Sequence, residues 1–221
     1  KPHLGNFSFS DLIQFGIAKA DALARIAAYL QPFLDARKGK DGDDMLSRIV
    51  NGKIGDRALS DVEALQLALQ VLIAGLDTVV NFLGFTFLFL AQNPAHRQRL
   101  VEDPDLIPTA IEELVRRFPI VTIGREVVTD MEYHGAQLKK GEMIVTATVL
   151  GGLDPTVNPD PMKVDFDRVG ARHVSFGTGP HKCPGAHLAR TEISISIEEW
   201  LKRIPVFELA AGADVRVMGG I

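Results

Sequence analysis

The single cysteine of this sequence, Cys183, stands in the run Phe176-Gly177-Thr178-Gly179-Pro180-His181-Lys182-Cys183-Pro184-Gly185, just ahead of a stretch with helical periodicity. A cysteine in front of a helix has its sulfur near amide donors and near the positive end of the helix dipole. Both favour the thiolate, the form that ligates metals. The glycines let the loop turn tightly and lie close against a flat group. A single cysteine on its own is more often a small buried apolar residue, so the case rests on the surrounding pattern. A second constellation is Glu113-Leu114-Val115-Arg116. Residues three apart share a helix face and can pair, and on a surface such a pair is worth under about 1 kcal/mol. The third is Ala74-Gly75-Leu76-Asp77-Thr78, inside a long apolar stretch. A threonine within a helix can bond back to the carbonyl four residues earlier, here Ala74, and bend the helix. Gly75 removes side-chain bulk beside it, and Asp77 next to Thr78 forms an acid–alcohol pair. Read blandly, these are a glycine and a threonine of a buried helix, with Asp77 satisfied by a neighbour.

Composition bounds what such groups can serve. A chain of 221 residues can bury one sizeable core or at most two small ones. Hydrophobic residues at 46% and charged residues at 24% are ordinary for a soluble globular protein. The net charge of −4 gives no reason to expect nucleic acid as a partner. One cysteine forms no internal disulfide, which suits a reducing cytoplasm. The opening Lys1-Pro2-His3-Leu4 has no initiator Met and no signal sequence after it, and reads as the middle of a longer chain. Val71 to Ala91 is apolar and long enough to cross a bilayer. Asp77 inside it would cost about 2.5–3.5 kcal/mol there, and no Lys/Arg cluster flanks it, so it is expected to be a helix through the centre of a soluble protein, buried all round, with no membrane as partner. Zinc held by His181, Cys183 and His187 is disfavoured, because structural zinc needs four ligands and no second cysteine exists.

The elements that must position these groups are mainly helical, with small β-sheets. A helical pattern runs from Ser10 to Lys38 with Leu12, Ile13, Ile17, Leu30 and Leu34 on its apolar face, and Pro32 is expected to kink it or end it early. A charged loop, a short helix from Asp44 to Val50 and a small hairpin around Ile54-Gly55 follow. Ser60-Asp61-Val62-Glu63 is a capping-box pattern opening the longest helix, which meets no strong breaker before Asn93-Pro94. Further helices are expected over Pro94–Glu102 and Ile107–Phe118. Val121 to Leu150 reads as strands and turns, with Val127-Val128, Met131-Glu132-Tyr133 and Met143-Ile144-Val145 as strand cores. Leu153 to His181 should be irregular, and a last helix should run from about Pro184 to Arg203. No domain boundary is visible, so residues 1–221 read as a single domain. The histidines other than His181 (His3, His96, His134, His173 and His187) read as solvated or structural.

Taken together, the three constellations resemble the cytochrome P450 family. The cysteine run matches the family's haem-binding signature at five positions within ten residues. Glu113 and Arg116 match its Glu-x-x-Arg motif, and Gly75-Leu76-Asp77-Thr78 its oxygen-activation motif. The resemblance extends over Ser60 to Gly220, more loosely over Lys1 to Asn51, and His187-Leu188-Ala189-Arg190 looks especially like the bacterial camphor hydroxylase group. It implies a cytochrome P450 fold present as its carboxyl-terminal portion, with haem b (iron protoporphyrin IX) as cofactor and Cys183 as the metal ligand. Phe176 and Gly185 would border the haem, and Arg125 and His181 would bond its propionates. Arg168, in Asp165-Phe166-Asp167-Arg168, would join Glu113 and Arg116 in a buried network holding the Cys183 loop. Asp77 and Thr78 would be the catalytic pair that supplies protons for O–O cleavage. Ile73, Ala74, Val121 and Ile123 would line the substrate pocket. Ile123 and Gln70 depart from the camphor enzyme, which has Asp and Leu there, so the polar and apolar groups around substrate are rearranged. Pro184 removes one amide donor beside the sulfur, and Lys182 adds a charge there.

The resemblance thus implies a monooxygenase that inserts one oxygen atom from O2 into a C–H bond of a small apolar substrate such as a terpenoid. An iron–sulfur ferredoxin would donate the electrons, docking on a basic surface formed by Arg168, Arg172, Lys182 and Arg190. The rival reading is a truncated fragment that binds haem poorly and is not catalytic. A peroxygenase or isomerase has less need of the Asp77-Thr78 pair.

Overall fold

The computed structural model describes residues 9–216, with side chains from Ala20 onward. His3, the apolar Leu12, Ile13 and Ile17, and the end of the expected resemblance at Gly220 therefore lie outside the described residues or side chains. The chain groups into two compact units, one ending at Ala74 and one beginning at Gly75.

In the first unit, α1 (Phe9–Asp35) continues through Pro32, which neither ends it nor stops Ala36 N–H from donating to the Pro32 carbonyl at 3.1 Å. Leu30 and Leu34 of α1 pack with Ile49 and Val50 of α2 (Met45–Val50) and with Ala64 and Ala68 of the next long helix. Asp44 caps α2, accepting from the Ser47 N–H at 3.1 Å. A two-stranded hairpin pairs β1 (Lys53–Ile54) with β2 (Arg57–Ala58). It leads into α3 (Asp61–Gln92), whose 32 residues span about 48 Å at 1.5 Å per residue. The capping box forms in full: Glu63 N–H donates to Ser60 Oγ at 3.3 Å and Ser60 N–H to Glu63 Oε2 at 2.8 Å. Arg57 grips the same carboxylate and, together with Ser60, holds it well below the usual carboxylate range.

In the second unit the rest of α3 is followed by α4 (Pro94–Glu102), a 3-10 turn, and α5 (Ile107–Arg117), stopped ahead of Pro119. Strand β3 (Thr122–Glu126) pairs antiparallel with β6 (Met143–Ala147), setting Ile123 opposite Thr146 and Arg125 opposite Ile144. Between them β4 (Met131–Tyr133) and β5 (Ala136–Leu138) form a hairpin, its turn made by His134 and Gly135 at φ 48° and 82°. A short α6 (Thr148–Gly152) follows, then an irregular stretch, then α7 (Ala186–Arg203). The core joins Leu90, Leu100, Ile111, Leu114, Phe166 and Ile197, and so binds α3, α4, α5 and α7 around the loop residue Phe166.

Three expectations are corrected. The strand lies on Thr122–Glu126 and not on Val127-Val128. Val127, at the strand's end, is buried and its N–H donates to the Glu142 carbonyl at 2.9 Å, while Val128 is exposed. Helix α6 begins where the sequence predicts strands and turns. And α3 is not buried all round. Its stripe Phe82, Thr86 and Leu90, spaced by four, enters the core, whereas Leu76 and Val80 are 69% and 65% exposed. Among the described residues no element covers that other face.

Candidate functional site

Cys183 is a free, exposed thiol at the end of a closed loop. Its N–H donates to the Phe176 carbonyl at 2.8 Å, and Lys182 N–H to the Gly179 carbonyl at 3.1 Å. Gly177 and Gly179 adopt φ of 68° and 67°. At Gly177 a Cβ would also press on the His181 carbonyl at 3.3 Å, so both backbone and space call for glycine. A Cβ at Gly185 would stand 3.8 Å from the Cys183 sulfur, on a surface that glycine leaves uncovered. α7 starts at Ala186 and not at Pro184. Among the described residues no donor hydrogen-bonds to the sulfur.

Around this loop stand the other expected contacts of the second unit. Ile123 of β3 borders it, with its Cδ1 3.9 Å from where a Gly177 Cβ would be. Val121 is exposed and its carbonyl accepts from Thr148 Oγ1, which fixes the start of β3. Arg125 is exposed and donates to the neighbouring Gly124 carbonyl at 2.8 Å, and His181 is exposed on the loop itself. Phe176 is half-buried. On α3, Asp77 is exposed and Thr78 half-buried. Open space surrounds Gly75. Ile73 and Ala74 are exposed at the end of the first unit.

Glu113 and Arg116 are not a surface pair. Both are buried, with the Glu113 oxygens accepting from Arg116 Nε at 2.7 Å and Nη2 at 2.8 Å. Arg168 Nε adds bonds of 3.0 and 3.1 Å, and Asp165 N–H one of 2.9 Å. Arg116 also donates to the carbonyls of Gly152, Pro161 and Lys163. Burial pushes the Glu113 carboxyl up, but these donors outweigh it and leave it lowered. The network ties α5 to α6 and to residues 159–168; among the described residues no hydrogen bond from it reaches Phe176–Gly185. Buried Asn158 extends it, donating to the Gly152 and Arg172 carbonyls and accepting from Arg172 N–H.

A neighbouring cluster was not foreseen. Glu112 accepts from Arg190 Nη2 at 2.9 Å and lies 3.2 Å from His173 Nε2, and the Arg190 guanidinium sits 4.5 Å over the Phe176 ring. These donors hold the Glu112 carboxyl at about 2. The only hint in the sequence is the Glu-Glu doublet on α5. The expected basic surface is correspondingly smaller: Arg168 is bound into the Glu113 network and Arg190 to Glu112, leaving Arg172 and Lys182 exposed. His96 is structural, edge-on to Phe166 and 3.2 Å from the Val164 carbonyl. Among the described residues no group of three or more metal-binding side chains occurs. An open cleft of about 620 Å³ beside Phe118, Arg117 and Asp167 contains none of the expected site residues.

A family model described as Cytochrome P450 matches residues 20–211. Among curated relatives, the probable cytochrome P450 127A1 of Sinorhizobium fredii is 35% identical over 212 residues, covering 96% of this chain and 51% of the relative. The crystal structure of CYP101J2 is 45% identical with a TM-score of 0.84, over 90% of this chain and 51% of that one. That of CYP101C1 is 39% identical with a TM-score of 0.85, over 90% and 52%. The chain spans about half the length of the proteins it matches.

Proposed function

The chain belongs to the cytochrome P450 family, and on that premise we propose that it forms the haem-binding half of a haem-thiolate monooxygenase domain. The observation that carries this reading is the free thiol of Cys183, exposed at the end of a loop closed on Phe176 and shaped by two left-handed glycines. The donor set fits haem: a soft sulfur for iron, glycines at 177, 179 and 185 that let the loop lie against a flat ring, and exposed Arg125 and His181 for carboxylates. Cys183 would ligate the iron, and Phe176 and Gly185 would border the ring. When bound, haem supplies the redox chemistry, in which O2 takes up two electrons, one oxygen atom enters a C–H bond and the other leaves as water. Asp77 and Thr78, consecutive on α3, hold and pass protons at the Thr78 hydroxyl. Exposed Val121 and half-buried Ile123 favour a small apolar substrate, of which a terpenoid is one class. Exposed Arg172 and Lys182 suit an acidic ferredoxin as electron donor in a bacterial cytoplasm.

A second reading, a polypeptide that is not catalytic, is favoured by the exposed Leu76 and Val80. One experiment separates the two. The purified chain is supplied with haem, reduced ferredoxin, ¹⁸O2 and a panel of terpenoids. The proposal predicts stoichiometric haem and product carrying one ¹⁸O, with Thr78→Ala diverting electrons to hydrogen peroxide. Bound haem without labelled product supports the second reading, and no haem uptake overturns the proposal.

A further inference from the structure

Glu112 and Glu113 are consecutive on α5, so their side chains diverge by about 100° around the helix. Glu113 enters the buried network with residues 159–168; Glu112 faces the segment that leads into the Cys183 loop and the helix that leaves it. Contacts from Arg190, His173 and Ser175 converge there. Arg190 on the first turns of α7 donates Nη2 to Glu112 at 2.9 Å and Nη1 to the Ala186 carbonyl at 3.1 Å. Its planar guanidinium lies 4.5 Å over the Phe176 ring. His173 Nδ1 accepts from the Ser175 N–H at 3.3 Å, so Nε2 carries the proton and donates it to Glu112 at 3.2 Å. One turn further along α5, the Val115 carbonyl accepts from Ser175 Oγ at 2.8 Å. Phe176 is the residue whose carbonyl receives the Cys183 N–H, and Ala186 begins α7 just after Cys183.

We infer that Glu112 is a positioning residue for Cys183: through Arg190 it clamps both ends of the cysteine loop, Phe176 before it and Ala186 after it, onto α5. This second latch is separate from the Glu113 network. The side chains of Glu112 and Arg190 are 36% and 32% exposed, and ion pairs of that kind add little to global stability. The latch therefore acts locally, on where the sulfur is held. Arginine is required at position 190 because a lysine keeps the charge and loses the flat stack on Phe176. The consequence for haem ligation rests on the proposed function; the latch itself does not.

The test uses amide hydrogen exchange on the chain without haem, comparing wild type with Glu112→Gln, Arg190→Lys and, as a control, Glu199→Gln, which breaks exposed pairs elsewhere on α7. Exchange at the Cys183 and Gly177 amides should rise about tenfold in the first two and stay unchanged in the control, with the Asp165 amide on Glu113 unaffected in all. Unchanged Cys183 exchange in Glu112→Gln overturns the latch, and unchanged exchange in Arg190→Lys alone overturns the route through Phe176. In a second arm each variant is given haem and carbon monoxide under reduction, and the share of thiolate-type absorption should fall with loop protection. If wild type takes up no haem, the proposed function fails while the exchange result still decides the latch.

Discussion

Thr86 sits in the core-facing stripe of α3 with its hydroxyl buried, and among the described residues its oxygen is the buried side-chain polar atom left without a hydrogen-bond partner. A buried unsatisfied hydroxyl costs roughly 1–3 kcal/mol, so Thr86→Val, which keeps the shape, should stabilise the protein by about 1 kcal/mol and raise Tm by several degrees. A lower Tm would show that the hydroxyl has a partner in solution. Glu113 is the opposite case, a buried carboxylate with every donor supplied. Its lowered pKa means that its stabilisation is full above the ordinary carboxylate range and fades as pH falls through the folded value. Glu113→Gln strands Arg116 and Arg168 and should cost about 3–5 kcal/mol at pH 7. Urea unfolding at pH 7 and pH 3 should find that gap narrowing at the lower pH; a gap that stays constant would mean that Glu113 is not the charged anchor. Spacing alone pairs Glu113 with Arg116, three apart, whereas Arg168, 55 positions from Glu113, enters only through the family resemblance. Arg190 and Glu112 are 78 positions apart, and only the fold brings them together.

At the scale of elements, legibility followed the strength of local signals. The capping box marked the start of α3 and Asn93-Pro94 its end, and Pro94–Glu102 was placed to the residue because proline opens it. Ser60 and Glu63 satisfy each other's backbone donors, so Ser60→Ala should destabilise the protein by about 1 kcal/mol in thermal unfolding, and no loss would indicate that Arg57 alone holds Glu63. Helix α6 has five residues, too few for periodicity to show, and it exists because buried Thr148 anchors one end and the Gly152 carbonyl accepts from Arg116 at the other. A Cβ at Gly152 would fall 2.2 Å from the Arg116 carbonyl oxygen, a constraint invisible without the fold. Pro32 does not end α1: Ala36 still bonds back to its carbonyl, and the last turn of the helix survives. The apolar run in α3 predicts burial all round and the structure differs, because apolarity tells how much a helix can bury and not which neighbours the chain supplies.

For the whole molecule, the family was legible because three motifs occur in order at characteristic separations, and the comparisons bear that out over residues 20–211. What composition does not disclose is how the cysteine is held. The Glu113 network secures residues 152–168, the Glu112 cluster meets the loop on both sides, and Cys183 is left as an exposed thiol between Lys182 and Pro184. Such an exposed sulfur has little purpose in packing, and ligation of iron is the role proposed for it. The direct measurement is the reduced carbon monoxide difference spectrum of the haem-loaded chain, wild type against Cys183→Ala at equal haem content. The account predicts the long-wavelength band of thiolate ligation in wild type and its loss in the variant. Persistence of that band in Cys183→Ala would contradict it.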